Sequence, residues 1–193
     1  MMKHVTGSVL GGPLLAAAVM LSGCASNAVD LHYYLLHSPS HKPVSPTGQV
    51  SKQIRFEQLR LPDYLKQRGL AMQTGPATVY FSSQHVWAEP LNAGLLQSLT
   101  DTLWQQEQVQ VLPNNIYKAR QMPRVDLQID DLIATHTSDV LLKGHYWVHY
   151  PDGESKVHRF DFRAALQQDG FEHTVVKMRE LVGQLAADIG KNV

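Results

Sequence analysis

Few residues in this chain are of types and spacings that do chemistry. Cys24 is the single cysteine, so one chain can form no internal disulfide, dithiol redox centre or Cys-rich metal site. The ten histidines invite a metal reading. His145 and His149 share one face of a predicted strand, but two pleats separate them by roughly 13 Å, too far for one ion without a bend. Between them on that face lies Trp147, which is no ligand. Asp130-Asp131 has the residue types of an acid pair, yet adjacent strand residues are expected to point to opposite faces. The sequence holds no G-x-S-x-G, Walker loop, H-E-x-x-H or G-x-G-x-x-G. No catalytic, cofactor-binding or metal-ligating residue is assigned. Lys plus Arg and Asp plus Glu number 17 each, and this balance favours neither nucleic acid nor an anionic surface as partner.

The sequence around Cys24 is informative in another way. Lys3 and His4 form a weakly positive head, and Val5 to Met20 are mostly small or apolar, interrupted by Gly11, Gly12 and Pro13. That run is too short and broken for a membrane span and reads as the core of a secretory signal. Leu21-Ser22-Gly23-Cys24 closes it and resembles the lipobox of bacterial lipoproteins. The resemblance implies cleavage before Cys24, a diacylglycerol on its thiol and acylation of the new amine. Small Ser22 and Gly23 leave the scissile bond accessible, and the thiol is the nucleophile that takes the lipid. Acyl chains contribute about 0.8 kcal/mol per buried methylene, so two or three anchor a protein almost permanently. Ala25, where an Asp would resemble the Gram-negative signal for inner-membrane retention, implies the outer membrane with the body in the periplasm. The expected layout is a signal peptide at 1–23, a lipidated tether at 24–30 and one domain at 31–193.

Periodicity predicts the elements of that domain. Leu31 to Leu36, Lys52 to Leu61, Leu70 to Gln73, Ala77 to Ser82 and Gln108 to Leu112 read as strands. Ser38 to Gly48, with three prolines, reads as an irregular, mobile link, and Leu61 to Leu70 as a short turn. A helix starts at Glu89-Pro90-Leu91, with Leu91, Leu95, Leu96, Leu99 and Leu103 on one face. Burying five leucines yields on the order of 10 kcal/mol gross, much of it offset by chain entropy. Pro113 and Asn114-Asn115 form a turn. Arg124 to Thr135, Asp139 to Tyr150 and Ser155 to Gln167 predict an antiparallel meander with turns at Thr137-Ser138 and Pro151 to Glu154. In the first of these strands the phase slips at Asp130-Asp131, which predicts a bulge. Phe171, Val175, Met178, Val182, Leu185 and Ile189 step by helical intervals and predict the last helix. Two amphipathic helices and a mixed sheet make an α/β domain of layered type. Trp87-Ala88-Glu89-Pro90-Leu91 reads as a helix start, with Trp87 packed over it and Glu89 facing the N-terminal dipole.

The lipobox, Tyr33-Tyr34-Leu35-Leu36, Leu61-Pro62-Asp63-Tyr64-Leu65 and Trp87-Ala88-Glu89-Pro90-Leu91 together resemble the ABC-type transport auxiliary lipoprotein family over most of the mature chain. Where members often continue the first Leu-Pro motif with a basic-proline-glutamine stretch, this chain has Lys66-Gln67-Arg68-Gly69-Leu70. The resemblance implies a three-layer α/β/α fold like anticodon-binding and TolB N-terminal domains, and no catalytic residues. It also implies an accessory part in lipid transport between membranes, beside an MCE tunnel protein and a multi-pass inner-membrane protein. Three readings stay open: an outer-membrane adaptor docking the MCE tunnel as a homo-oligomeric ring, a monomeric lipid carrier, and a periplasmic enzyme, which the missing motifs disfavour.

An accessory protein without chemistry acts by binding, so some surface should be more apolar than a monomer requires. The candidate interface residues are Tyr33 and Tyr34 beside the tether, and His145, Trp147 and His149 on the odd face of the second long strand. Tyr146 and Val148 face the opposite side from Trp147. Either a helix layer covers each face, or the Trp147 face meets another protein.

Overall fold

Hydrophobic alternation is cleanest in the last third of the chain, and there it builds a three-stranded meander. The computed structural model describes residues 4, 29–39, 52–113 and 121–193. The chain divides into the units Met1–Asp30 and Leu31–Val193, and every element below belongs to the second. Strand β1 is His32–Tyr34, β2 Lys52–Arg60, β3 Gly69–Gly75 and β4 Thr78–Trp87. Helix α1 spans Leu91–Glu107, followed by β5, Val109–Val111. The meander is β6, Arg124–Ala134, β7, Asp139–His149, and β8, Ser155–Ala165; helix α2 is Phe171–Asn192. The turn predicted at Asn114-Asn115 and most of the link predicted from Ser38 to Gly48 lie outside the described residues.

All eight strands join one mixed sheet, and β6 is its hub. One edge of β6 pairs antiparallel with β7 along its whole length. The other edge is shared: β2 pairs parallel with its first half, and β3 meets it at Met72↔Ala134. Beyond β2 lies β5; beyond β3 lie β4 and then β1. The bulge falls at the predicted slip, between Ile129↔Gly144 and Asp131↔Lys143. Gly144 is required opposite it, because a Cβ there would stand 2.2 Å from the Gln128 carbonyl oxygen.

Both helices lie over one face. Ile54 and Phe56 of β2, Val125, Leu127 and Ile129 of β6, and Tyr146 and Val148 of β7 share that face by register and are buried. Helix α1 packs on β2, α2 packs on β7 and β8, and the helices pack on each other. Among the described residues the domain is therefore two-layered, a departure from the three-layer expectation. Of the two arrangements left open by Trp147 opposite Tyr146, the described helices cover one face and leave the Trp147 face without a helix layer. A second correction concerns α1: Leu96 is exposed, and Gly94 and Ser98 lie in the buried stripe beside Leu91, Leu95, Leu99 and Leu103. The helix ends on Gln108 in the left-handed region, whose amide donates to the Leu103 carbonyl.

β4 is longer than predicted and reaches Trp87, its last residue, which is buried in the same core cluster as Leu91 of α1. The extension was hidden by an irregularity: pairing jumps from Gly69↔Val86 to Ala71↔Phe81. The Ser82 hydroxyl fills the gap by accepting from the amides of Gln84 and His85, at 3.2 and 2.9 Å. The protrusion breaks the period-two pattern on which the shorter prediction rested.

Candidate functional site

The face of the sheet opposite the helices carries His145, Trp147 and His149 on β7, all half-buried. Side chains on this face partner their strand neighbours. His149 Nε2 donates to Asp126 Oδ2 at 3.1 Å, while the Ser155 hydroxyl lies 2.8 Å from Nδ1. His145 Nδ1 stands 3.6 Å from Asp130 Oδ2, and the Trp147 indole meets the His145 ring edge-on at 4.5 Å between centroids. Trp147 and His149 line a shallow groove of about 230 Å³ with Gln58, Arg60, Asp126 and Leu127. The two histidines thus hold separate carboxylates. Among the described residues no group of three His, Cys, Asp or Glu converges as metal ligands. The arrangement is a shallow, partly aromatic surface whose histidines pair with carboxylates while Asp126 Oδ1 is buried with no hydrogen-bond partner among the described residues, which suits contact with another macromolecule.

Tyr33 and Tyr34 lie elsewhere. Their strand, β1, is separated from β7 by β4, β3 and β6, so the two candidate sets do not form one surface. The Tyr34 hydroxyl lies 2.9 Å from His85 Nδ1, and the His85 ring is stacked between His32 and Phe171 at 4.9 and 4.0 Å. Burial, with the charge of Glu172 adding to it, raises the Tyr34 pKa above the ordinary phenol value. Tyr34 is thus a packing residue joining β1 to β4, and Tyr33 is the exposed one, at 58 %. The Arg68 guanidinium donates to the Tyr33 hydroxyl at 3.2 Å and covers its ring at 5.5 Å. Cys24 lies outside the described residues.

The Trp-Ala-Glu-Pro-Leu stretch is a clamp on the chain that follows β1. The Trp87 amide donates to the Arg68 carbonyl, and the Ala88 amide to the Tyr34 carbonyl at 2.8 Å. Glu89 Oε1 lies 3.0 Å from His37 Nδ1, and Gly94 makes room for it, since a Cβ there would come within 2.9 Å of that oxygen. From α2, Arg179 donates to the carbonyls of Leu35 and Leu36 at 2.8 and 3.1 Å. Trp87 is buried.

Sequence reasoning missed the part played by Tyr64. The 3-10 turn Asp63–Lys66 fills the stretch of the β6 edge between β2 and β3. There the Tyr64 hydroxyl donates to Asp131 Oδ1 at 3.1 Å and accepts the Leu132 amide at 3.4 Å. The bulge also overrides the expected alternation. Asp131 pairs with Lys143, so it shares the open face with Asp130, yet each carboxylate has its own partners, Tyr64 for Asp131 and Gln128 with His145 for Asp130. The phase slip in β6 was the available signal, but it named no partner.

Comparison with known proteins bears on the family and the fold. The family model described as the ABC-type transport auxiliary lipoprotein component matches residues 34–190. The chain is 24 % identical over 177 residues to the intermembrane transport lipoprotein PqiC of Escherichia coli K12, covering 92 % of this chain and 94 % of that one. PqiC of Shigella flexneri matches equally. Among solved structures, one of an uncharacterized protein superposes with a TM-score of 0.71 at 20 % identity, covering 84 % of this chain and 98 % of that one. A Xanthomonas campestris protein superposes with a TM-score of 0.61 at 12 % identity, covering 82 % and 92 %. These likenesses show the fold.

Proposed function

The chain belongs to the ABC-type transport auxiliary lipoprotein family, and on that premise we propose that it is an outer-membrane-anchored periplasmic lipoprotein of an intermembrane lipid transport system. In this reading, residues 1–23 are a cleaved signal, Cys24 carries the acyl chains, and residues 31–193 form the working domain. The domain, without chemistry of its own, docks an MCE tunnel protein as a homo-oligomeric ring that sits with a multi-pass inner-membrane protein in one assembly and supports envelope integrity. The sheet with its helices is taken as akin to anticodon-binding and TolB N-terminal domains.

The observation that carries the docking role is the face holding His145, Trp147 and His149, which no described helix covers although it bears a large aromatic side chain. The carrier alternative is less well supported. The groove of about 410 Å³ between α1 and α2 is open and sets Arg179 and Glu180 beside Leu36 and Ala187, so an acyl chain there would lie against charged groups. No helix among the described residues is long and apolar enough to cross a membrane, which accords with attachment through Cys24.

Labelling with radioactive palmitate and membrane fractionation test the anchor. Wild type should take up label, Cys24→Ala should remain unprocessed and unlabelled, and Ala25→Asp should move the protein to inner-membrane fractions in a Gram-negative host. Unlabelled wild-type protein would rule the anchor out.

A further inference from the structure

From Gly69 to Ala88 the chain contains no Asp, Glu, Lys or Arg. This stretch is the β3–β4 hairpin, and it is not buried: Val79 is 43 % exposed, Tyr80 50 % and Phe81 42 %. Consecutive strand residues alternate in direction, so Tyr80 projects from one side of the hairpin and Val79 and Phe81 from the other. The outer edge of β4 is paired by β1 only at His85 to Trp87, and from Thr78 to Gln84 the described strands pair β4 on its β3 side alone. Exposed edges are ordinarily blunted with lysines or other charges, and none is present here.

The direction of β1 says what lies nearby. β1 runs parallel to β4, with His32 opposite His85. The chain therefore reaches β1 from the end of the sheet at which β4 begins, the end that carries the hairpin tip. The segment from Cys24 to His32 extends to at most roughly 28 Å. Thr78 to His85 spans roughly 23 Å. A lipid anchor at Cys24 thus holds the membrane surface within reach of this hairpin.

We infer that the β3–β4 hairpin dips Val79, Tyr80 and Phe81 into the lipid surface that holds the anchor, and so fixes the orientation of the domain on the membrane. The inference rests on the proposed acylation of Cys24. A lipid surface fits better than a second protein because it surrounds the hairpin, whereas a flat partner would cover one of its two sides. With no fixed charge between Gly69 and Ala88, insertion desolvates no ion. The unpaired backbone of the β4 edge keeps the hairpin at headgroup depth, where its amides and carbonyls still meet water and where tyrosine is favoured.

The test uses the full lipidated protein in vesicles of phosphatidylethanolamine and phosphatidylglycerol. Cys24 is the sole cysteine, so once it is acylated Tyr80→Cys supplies the only free thiol for an environment-sensitive fluorophore. Glu154→Cys, in the β7–β8 turn at the opposite end of the sheet, is the control. On vesicle attachment, iodide quenching at position 80 should fall by about threefold or more and quenching at 154 should stay unchanged, as interfacial burial requires. Equal quenching at both positions in vesicle-bound protein would overturn the inference and leave the anchor standing. Protection at 80 that vanishes when the protein is diluted about tenfold in the membrane would assign the hairpin to self-association instead, by mass action. Protein that does not float with the vesicles at all would remove the anchor, and the inference with it.

Discussion

Tyr64 and Asp131 are joined by a hydrogen bond of 3.1 Å across the one stretch of the β6 edge that neither β2 nor β3 pairs. The Leu-Pro-Asp-Tyr-Leu stretch therefore acts as a plug: Leu65 enters the core while the Tyr64 hydroxyl satisfies the bulge. Tyr64→Phe should keep the packing and lose both hydrogen bonds, costing about 1–2 kcal/mol. Urea unfolding at pH 7 measures this, and an unchanged midpoint would show that the bulge does not depend on the hydroxyl.

Two tyrosines make stability fall in alkali. Burial, then the charge of Asp131, raises the Tyr64 pKa; burial, then its hydrogen bond to Asp188, raises that of Tyr146. In the unfolded chain both ionise near the ordinary value of about 10, while in the folded chain they keep their protons. Above that pH the unfolded state binds fewer protons, so stability declines as pH rises. The urea midpoint of wild type should hold up to about pH 9.5 and fall steadily as the pH rises beyond about 10. The Tyr64→Phe, Tyr146→Phe double variant should start lower and show a smaller drop. An equally steep drop in the double variant would contradict this origin.

Trp87 holds the fold together. Trp87→Ala should cost about 3–5 kcal/mol, a fall of about 10 °C in Tm for a domain of this size. Calorimetry or thermal circular dichroism gives the answer. Unchanged melting with lost function would turn the Trp-Ala-Glu-Pro-Leu stretch into an interface.

Gly144 has no room for a methyl group between the Gln128 carbonyl and the Phe160 ring. Gly144→Ala should destabilise by about 1–3 kcal/mol through displacement of the β6 backbone. A variant that melts like wild type would mean that the bulge yields freely.

The sequence made the meander, its bulge and both helices legible, because alternation and helical stepping persist over Arg124 to Gln167 and over the leucine stripe of α1. Three features were not. The outer half of β4 was hidden by the Ser82 protrusion, which breaks the period locally. The number of layers was illegible because periodicity tells which faces of an element are apolar, not whether two helices share a side of the sheet. Of the candidate residues, Tyr33 and Trp147 stand out as surface aromatics, whereas Tyr34 is tied to His85; both tyrosines read alike in sequence, and only the pairing of β1 with β4 separates them.

The central claim is that the open face of the sheet docks a protein. Trp147→Ala should change stability by less than about 1 kcal/mol while weakening self-association or tunnel binding. The most direct measurement places a photo-crosslinking residue at Trp147 in living cells, with the exposed α1 residue Gln97 as control. The account predicts adducts from position 147 with a second copy of the chain or with an MCE protein, and none from position 97. Adducts from 97 but none from 147 would contradict it and move the docking surface to the helix layer.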